Sequence, residues 1–398
     1  MKKQLLTSTA LVAAGVMAVS GSALAQGPKL TVGGHMTQIF GVGSNSDAFE
    51  AAQLAAGNDG RVGFDQHSDA EIHFNGSVTL DNGIKIRTRV ELEGNSTQDD
   101  TAGKESNISN GAPGSTNDGD FIDENWMRIS GSFGEIRLGS GDAAGMAMTT
   151  GYLGTWSTGV GLNHAFDIPD WVARPATVSA GTVARVDSNS DAEHVSYFTP
   201  RMSGFQVGAS YIPSTEEDVN NQRAQKTAGD SDGISVGVNY VGKFNGAGIG
   251  IAAGYGTSNE SNADRSDPEV WGIGGRIDFQ GFRVGMSYVD KKAQNNAAGV
   301  TAAGGQGQET FEMGIRYTFG PNAVSFTYQD AETDANAGGA ADGDQTTAAS
   351  VSYRRILAPG VSWNIMAMYA DYDDGLAAAA AGNSNDGTAL ATSMTLRF

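Results

Sequence analysis

The chain has 398 residues, 56 of them glycine, contains no cysteine and carries a formal net charge of −20 at pH 7. The absence of cysteine excludes a disulfide-stabilised scaffold and any metal site built on thiolates, and the negative charge argues against nucleic acid as a partner. Beyond residue 25 no apolar run reaches the roughly 20 residues that a membrane-spanning helix needs. Backbone pairing and burial must therefore stabilise the fold.

The N-terminal segment has the pattern of a cleaved secretory signal peptide. A basic start precedes a short apolar stretch, and the sequence ALA at residues 23–25 is typical of a cleavage site. The apolar stretch is too short for a membrane anchor. We therefore expect residues 1–25 to be a signal peptide and residues 26–398 to form the exported domain.

Alternation of apolar and polar residues then predicts β-strands along the rest of the chain. The first strand starts at Lys29, and a hairpin follows over residues 71–93 with the turn sequence DNG at residues 81–83. One face of these strands suits lipid and the other suits water. The same pattern recurs at residues 282–288, 311–319, 324–328 and 361–369.

The connections between the predicted strands alternate between short and long. The short ones lie near residues 81–83, 131–134, 201–203, 243–246, 280–281, 320–322 and 358–360. The long ones lie near residues 45–68, 94–120, 141–192, 213–231, 257–268, 291–308, 331–346 and 373–386. Such alternation is expected when one rim of an antiparallel barrel carries tight turns and the other carries long loops, and it predicts about sixteen strands. The segment 121–129 alternates poorly, which leaves the direction of the Arg128 side chain open.

The end of the chain indicates that the sheet closes on itself. Met394, Leu396 and Phe398 share one face of a last strand that alternates up to the final residue. In lipid every backbone polar group must be paired internally, so the last strand must pair with the first. The predicted fold is an all-β transmembrane antiparallel β-barrel.

Several stretches resemble the general diffusion porins of Gram-negative outer membranes, which are sixteen-stranded and typically trimeric. They are the ALA ending of the signal, the first strand KLTVGGHMTQIFGVG, the hairpin WMRISGSFGEIRLGSGD, the long segment after it and the terminal Phe398. The resemblance covers the whole chain. It implies an outer-membrane channel for passive diffusion of small hydrophilic solutes and ions. It also implies a homotrimer surrounded by outer-membrane lipid and lipopolysaccharide.

The resemblance also assigns roles to particular residues. Met394, Leu396 and Phe398 match the signal that the outer-membrane insertion machinery reads in this family. Residues 141 to about 187 match the family's third loop, which folds into the barrel and narrows the pore. Apolar side chains such as Trp171 independently suggest that this segment packs against a wall, because a freely solvated loop would not need them.

Charged residues of the third loop and of the wall are the candidates for the pore constriction. The loop carboxylates are Asp142, Asp167 and Asp170, for which capping of turns is the alternative role. By parity the side chains of Lys85, Arg87, Arg89 and Arg137 face the lumen. Loop carboxylates opposite these cations would relieve their repulsion and create a transverse field. A simple solvated charged face is the alternative for the cations.

Other classes of function have less support. The five histidines include no close pair at metal-ligand spacing along the chain, and no nucleophile elbow is present, so we predict no enzymatic activity, no metal site and no cofactor. Whether the acidic loops bind calcium stays open. A calcium-binding solenoid lacks its GGxGxD repeat. A barrel adhesin or structural protein without a general pore is the alternative, but about sixteen strands leave an aqueous channel. The acidic loops predict weak cation selectivity.

Overall fold

The computed structural model describes residues 27–58, 61–94, 122–161, 171–178, 180–181, 185–187, 191–215, 230–262, 265–294, 306–334, 343–375 and 382–398. The described strands form one closed antiparallel barrel of sixteen, in which each strand pairs with its neighbours in sequence and the first pairs with the last. The predicted fold class and strand number are therefore confirmed. Within the described ranges, no helix is both long enough and apolar enough to cross a membrane.

The strands have the following bounds. They are β1 (Lys29–Gly43), β2 (Asp65–Thr79), β3 (Lys85–Glu93), β4 (Ile122–Gly131), β5 (Gly134–Gly139), β6 (His194–Phe198), β7 (Phe205–Ser214), β8 (Ser231–Phe244), β9 (Ala247–Asn259), β10 (Glu269–Phe279), β11 (Phe282–Lys291), β12 (Gln308–Phe319), β13 (Asn322–Thr333), β14 (Gln345–Ala358), β15 (Val361–Asp373) and β16 (Asn385–Arg397). Short turns follow every even-numbered strand except the last, and long loops follow every odd-numbered one. We call the two ends of the barrel the short-turn rim and the long-loop rim.

The outer face of the barrel is apolar, as the alternation predicts. On β12 the side chains of Phe311, Met313 and Ile315 are exposed, whereas the intervening Glu312 is fully buried on the inner face. Aromatic rings pair on the outside near the short-turn rim, where Phe282 stacks on Tyr317 with ring centroids 4.4 Å apart. Aromatic belts of this kind are typical of the interface between membrane and water.

The last strand closes the barrel through its final residue. Met36 pairs with Leu396 in the register of β1 and β16. The amide of Phe398 donates to the carbonyl of Gly34, and the amide of Gly34 donates to the carbonyl of Phe398, both at 3.1 Å. Gly34 has φ +152°, and a Cβ there would lie 2.2 Å from the carbonyl oxygen of Glu71. A glycine is therefore required at the point where the chain end joins the sheet.

Two features of the chain were not predicted. The first long loop contains helix α1 (Asp47–Ala55), whose N-terminus is capped by the Ser46 hydroxyl accepting from the Phe49 amide. The pairing of β3 with β4 is irregular between Val90 and Leu92, which accounts for the poor alternation of residues 121–129. The register settles the direction of Arg128, because it pairs with lumen-facing neighbours on both sides.

The candidate pore: third loop and lumen wall

The third loop spans residues 140–193, and the parts of it that the structure describes lie inside the barrel. It contains helix α2 (Ala144–Thr149), a 3-10 turn (Thr150–Tyr152) and helix α3 (Gly154–Thr158). Helix α2 packs against β7, β8 and β9, and α3 packs against β11, β12 and β13. The prediction that a long third loop folds into the lumen is confirmed, and the loop narrows the channel because its helices occupy the interior.

Wall hydroxyls satisfy the free amides at the start of α2. The amide of Ala144 donates to Ser210 Oγ, and the amide of Gly145 donates to Ser235 Oγ, each at 2.8 Å. The first amides of a helix have no partner within the helix. Ser210 on β7 and Ser235 on β8 therefore cap the N-terminus of this helix, a role that an N-cap side chain usually has.

A buried carboxylate holds the start of α3. Glu312 on β12 accepts from the Thr155 hydroxyl at 2.6 Å, from the Thr155 amide at 3.3 Å and from the Ser287 hydroxyl at 2.9 Å. The amide of Gly154 donates to Ser287 Oγ at 2.7 Å. A negative group at a helix N-terminus is favourable, so these contacts anchor the start of α3 to β11 and β12.

A belt of inward-facing glycines leaves room for the two helices. A Cβ at Gly237 would lie 2.6 Å from the carbonyl oxygen of Ala144, and one at Gly314 would lie 2.0 Å from Thr158 Oγ1. Short distances to parts of the third loop recur around the belt. Its members are Gly237, Gly254, Gly272, Gly274, Gly285 and Gly314. The loop thus rests on a shelf of bare backbone that extends from β8 to β12.

The second half of the loop reaches the far side of the barrel. An apolar cluster buries four residues of this half of the loop against side chains of β1, β14, β15 and β16. These residues are Trp171, Val172, Val178 and Ala180. The ring of Trp171 lies against β1, where a Cβ at Gly41 would be 2.3 Å from it. The apolar residues of the loop therefore pack against a wall, as expected.

The inner faces of β3, β4 and β5 carry one group of arginines, across the lumen from the shelf. A second group lies on the inner faces of β10, β11, β12 and β14 and consists of Arg276, Arg283, Arg316 and Arg354. Arg87, Arg128 and Arg137 are direct neighbours across the three strands and form a ladder. Arg89 lies one inward position closer to the long-loop rim on β3, and Lys85 is exposed at the start of that strand. Three of the four predicted cations thus lie close together in the lumen, and Lys85 lies at the short-turn rim.

Carboxylates of the wall are the hydrogen-bonded partners of these arginines. Glu135 accepts from Arg87 NH2 at 2.9 Å and from Arg137 Nε at 2.7 Å. Arg89 donates to Glu91 Oε2 at 3.0 Å and, through Nε, to Asn75 Oδ1 at 3.2 Å. These wall partners were not predicted, although Glu135 lies two residues before Arg137 and therefore on the same face.

Aromatic rings support two members of the ladder. The guanidinium carbon of Arg128 lies 3.8 Å from the centroid of the Trp126 ring. That of Arg137 lies 4.1 Å from the centroid of the Phe198 ring. Cation–π contact fixes the guanidinium planes without neutralising their charge, so the ladder keeps positive charge facing the lumen.

Acidic residues collect where the third loop leaves and rejoins the wall. Burial, Glu124 and Asp187 raise the pKa of Asp142 to about 6, while Arg185 and Arg137 oppose the rise. Burial, Asp142 and Asp187 raise the pKa of Asp191 to about 8. The structure thus places Asp142 within electrostatic reach of the arginine ladder. Asp167 and Asp170 lie outside the described residues.

Two histidines that are far apart in sequence meet on the wall. His35 Nδ1 and His73 Nε2 both face Glu71 Oε2, at 3.4 and 2.8 Å. Spacing along one chain could not show this, because the two residues come from different strands. The expectation that no histidines form a close pair therefore holds for sequence spacing and fails in the barrel.

A closed barrel of sixteen strands with an apolar outer face, a charged lumen and a loop folded inside defines a channel-forming protein of the outer membrane. The chain belongs to the Gram-negative porin family, whose model matches residues 7–375. It is a multi-pass outer-membrane β-barrel that forms a pore for passive diffusion, as predicted. No curated protein matches the chain.

Solved porins share the fold at low sequence identity. An anion-selective porin from Comamonas acidovorans is 15% identical, with 94% of this chain and 100% of that chain covered and a TM-score of 0.59. A porin refined at 1.8 Å resolution is 16% identical, with 93% and 100% covered and a TM-score of 0.56. The trimer form of OmpT from Vibrio cholerae is 12% identical, with 93% and 99% covered and a TM-score of 0.57. These likenesses establish the fold alone.

Proposed function

We propose that the protein is a general, weakly cation-selective porin that passes small hydrophilic solutes and ions without any enzymatic step. The observation that carries the selectivity is the separation of charge along the lumen. At the loop base Asp142 and Glu124 lie beside Asp191, whose pKa of about 8 leaves it mostly protonated at neutral pH. The arginine ladder lies below this acidic group. Acidic groups at the outer mouth raise the local concentration of cations.

The ladder opposes cations less than its charge count suggests. Glu135 neutralises part of the charge of Arg87 and Arg137, and Glu91 does so for Arg89. Arg128 keeps its charge beside Trp126. The wall keeps positive charge at Arg128 and at the second group of arginines, so the cation preference that the acidic mouth supplies is small. Salt screens the electrostatic potential of the acidic mouth beyond about 8–10 Å at physiological ionic strength, so the cation preference should decrease as the salt concentration rises.

Reversal potentials in planar bilayers under a salt gradient test the proposal. Replacing Arg87, Arg89 and Lys85 together by glutamine should shift the reversal potential to that of a more cation-selective pore. Replacing Asp142, Asp167 and Asp170 together by asparagine should shift the reversal potential to that of a less cation-selective pore. The single variant Lys85→Gln is the matched control, since this residue is at the rim and should have little effect. Unchanged potentials in both triple variants would place the selectivity elsewhere.

We further propose that the protein is a homotrimer that associates through the outer faces of β1–β3. Gln38 lies near the middle of β1, between the exposed Met36 and Phe40, and its Oε1 accepts from Gln66 Nε2 at 2.8 Å and from Ser68 Oγ at 3.0 Å. Amide and hydroxyl groups are costly against hydrocarbon. Contact with another subunit would remove them from lipid.

Electrophoresis with and without boiling tests the trimer. The unheated protein should migrate as an oligomer that heat converts to a monomer of altered mobility. Gln38→Glu should weaken the oligomer, because it adds a charge at the proposed interface, whereas Val236→Thr on the outer face of β8 should not. Light scattering that shows a monomer at every concentration in mild detergent would contradict the proposal.

Three other features of the chain are also proposed. Residues 1–25 act as a cleaved signal peptide. Met394, Leu396 and Phe398 act as the insertion signal, and all three side chains are exposed on the outer face. The apolar outer face contacts outer-membrane lipid, including lipopolysaccharide at the long-loop rim.

A further inference from the structure

Four potential metal ligands come together on the inner faces of β1, β2 and β3. His35 is directly opposite Glu71 across β1 and β2, and His73 is directly opposite Glu91 across β2 and β3. Glu71 and His73 are two residues apart and share a face. His73 Nε2 lies 2.8 Å from Glu71 Oε2 and 3.2 Å from Glu91 Oε2, and His35 Nδ1 lies 3.4 Å from Glu71 Oε2.

The hydrogen bonding of this cluster depends on the two imidazole rings and on Arg89, which donates to Glu91 Oε2 at 3.0 Å. His35 Nε2 lies 3.0 Å from Asp69 Oδ2, so a neutral His35 ring donates its proton to Asp69 and turns the lone pair of Nδ1 towards Glu71. The oxygens of Glu71 and Glu91 both converge on His73 Nε2, which carries at most one proton. With both rings neutral, the lone pair of His35 Nδ1 therefore faces Glu71 Oε2 at 3.4 Å, an arrangement that a bound cation resolves.

We propose that this cluster is a transition-metal site of the Zn²⁺ class with three protein ligands, His35, Glu71 and His73, whose donor atoms all lie within 4.8 Å of one another. Glu91 lies beside them. Bonds of about 2.0–2.2 Å in a tetrahedron put the ligand atoms roughly 3.4 Å apart. The distances from Glu71 Oε2 to His35 Nδ1 and to His73 Nε2, 3.4 and 2.8 Å, lie at this value and somewhat below it. Nitrogen with carboxylate ligands favours Zn²⁺ and its neighbours over Ca²⁺ and Mg²⁺, which prefer oxygen alone.

The surroundings of the cluster support the assignment. Asp69 holds the far nitrogen of His35 in the arrangement that carboxylates commonly adopt behind zinc-bound histidines. Glu93 lies beside Glu71 on β3, so the local acidic charge exceeds that of Arg89. The side chains of Glu71 and His73 are 23% and 17% exposed, which gives an ion in the lumen access. All three ligands are on the paired strands β1 and β2, so little reorganisation is needed.

Calorimetric titration of the full-length protein in detergent with zinc chloride tests the site. The wild type should bind one Zn²⁺ per chain, and His35→Asn with His73→Asn should weaken binding at least about 100-fold, or about 2.7 kcal/mol. Asp69→Asn should weaken it about 10- to 100-fold, because this residue orients a ligand. His67→Asn on β2 is the matched control, since it replaces another wall histidine and leaves the cluster intact.

The barrel itself is checked in each variant by its heat-modifiable mobility, so that loss of binding is not confused with misfolding. Equal Zn²⁺ affinity in the double variant and the wild type would overturn the site. Ca²⁺ binding as tight as Zn²⁺ binding would overturn its assignment to the transition-metal class. The titration does not depend on the proposed ion selectivity, and its outcome is therefore independent of the bilayer measurements.

Discussion

Replacing Glu312 by alanine should release the third loop from the wall while the barrel stays closed. The carboxylate of Glu312 is fully buried and accepts three hydrogen bonds from Thr155 and Ser287. Alanine leaves all three donors without this acceptor. The strand pairing of β12 uses backbone groups that the substitution does not change, so the loss should be local to α3.

The magnitude follows from the number and charge of these bonds. A hydrogen bond to a charged group contributes about 1.5–3 kcal/mol net, and an unpaired buried donor costs a similar amount. Water entering the space will satisfy part of the loss, so the local free energy of opening should fall by roughly 3–6 kcal/mol. At 1.4 kcal/mol for each factor of ten, helix α3 should open about 10² to 10⁴ times more often.

Hydrogen exchange followed by mass spectrometry measures this opening directly. Peptides that cover residues 154–158 should lose their protection in Glu312→Ala, and single-channel records should become noisier as the loop moves in the lumen. Glu332→Ala is the matched control, since this carboxylate is exposed on the neighbouring β13. Wild-type protection together with wild-type noise in Glu312→Ala would show that other contacts hold the loop.

Two further predictions concern pH and assembly. Because the pKa of Asp142 is raised to about 6 and that of Asp191 to about 8, both groups ionise between pH 5 and pH 9. Cation preference should rise over that window, and the stability of the loop base, highest below pH 4, should fall as pH passes 6 and then 8. Reversal potentials against pH check this, with Asp191→Asn removing the upper step; a flat profile would contradict it. Deleting Phe398 should lower the amount of protein in the outer membrane, whereas Phe398→Tyr should not. The amount is measured on isolated membranes. Normal levels of the deletion variant would rule out the insertion signal.

Sequence reasoning found the barrel because its evidence is local. Period-two alternation and turn residues lie within a few positions of one another, and the strand number follows from the order of short and long connections. Helix α1 was missed because it is short and lies within a polar connection. The direction of Arg128 required the register, which depends on an irregularity between β3 and β4 that no local pattern shows.

The candidate site was harder to predict because its contacts cross strands. The alternation of each strand places the side chains of Arg87 and Arg137 on the lumen face. It does not show that Glu135 accepts hydrogen bonds from both of them. His35 and His73 come together only when β1 pairs with β2 in the observed register. Pairwise geometry across a sheet is set by closure of the whole barrel, and a single sequence does not display it.

The path of the third loop nevertheless left a trace in the sequence. Polar backbone inside a channel needs partners and space, and the wall supplies both where the loop runs. Ser210 and Ser235 accept its amides, and Gly237 and Gly254 give it room. Where the helices do not cover the wall, inward positions carry long charged side chains such as Arg87. Inward glycine and serine therefore mark the arc of the wall that carries the loop. Inward arginine does not separate the two arcs, because Arg276 on β10 and Arg283 on β11 lie beneath the loop and donate to the carbonyls of Gly151 and Ser157.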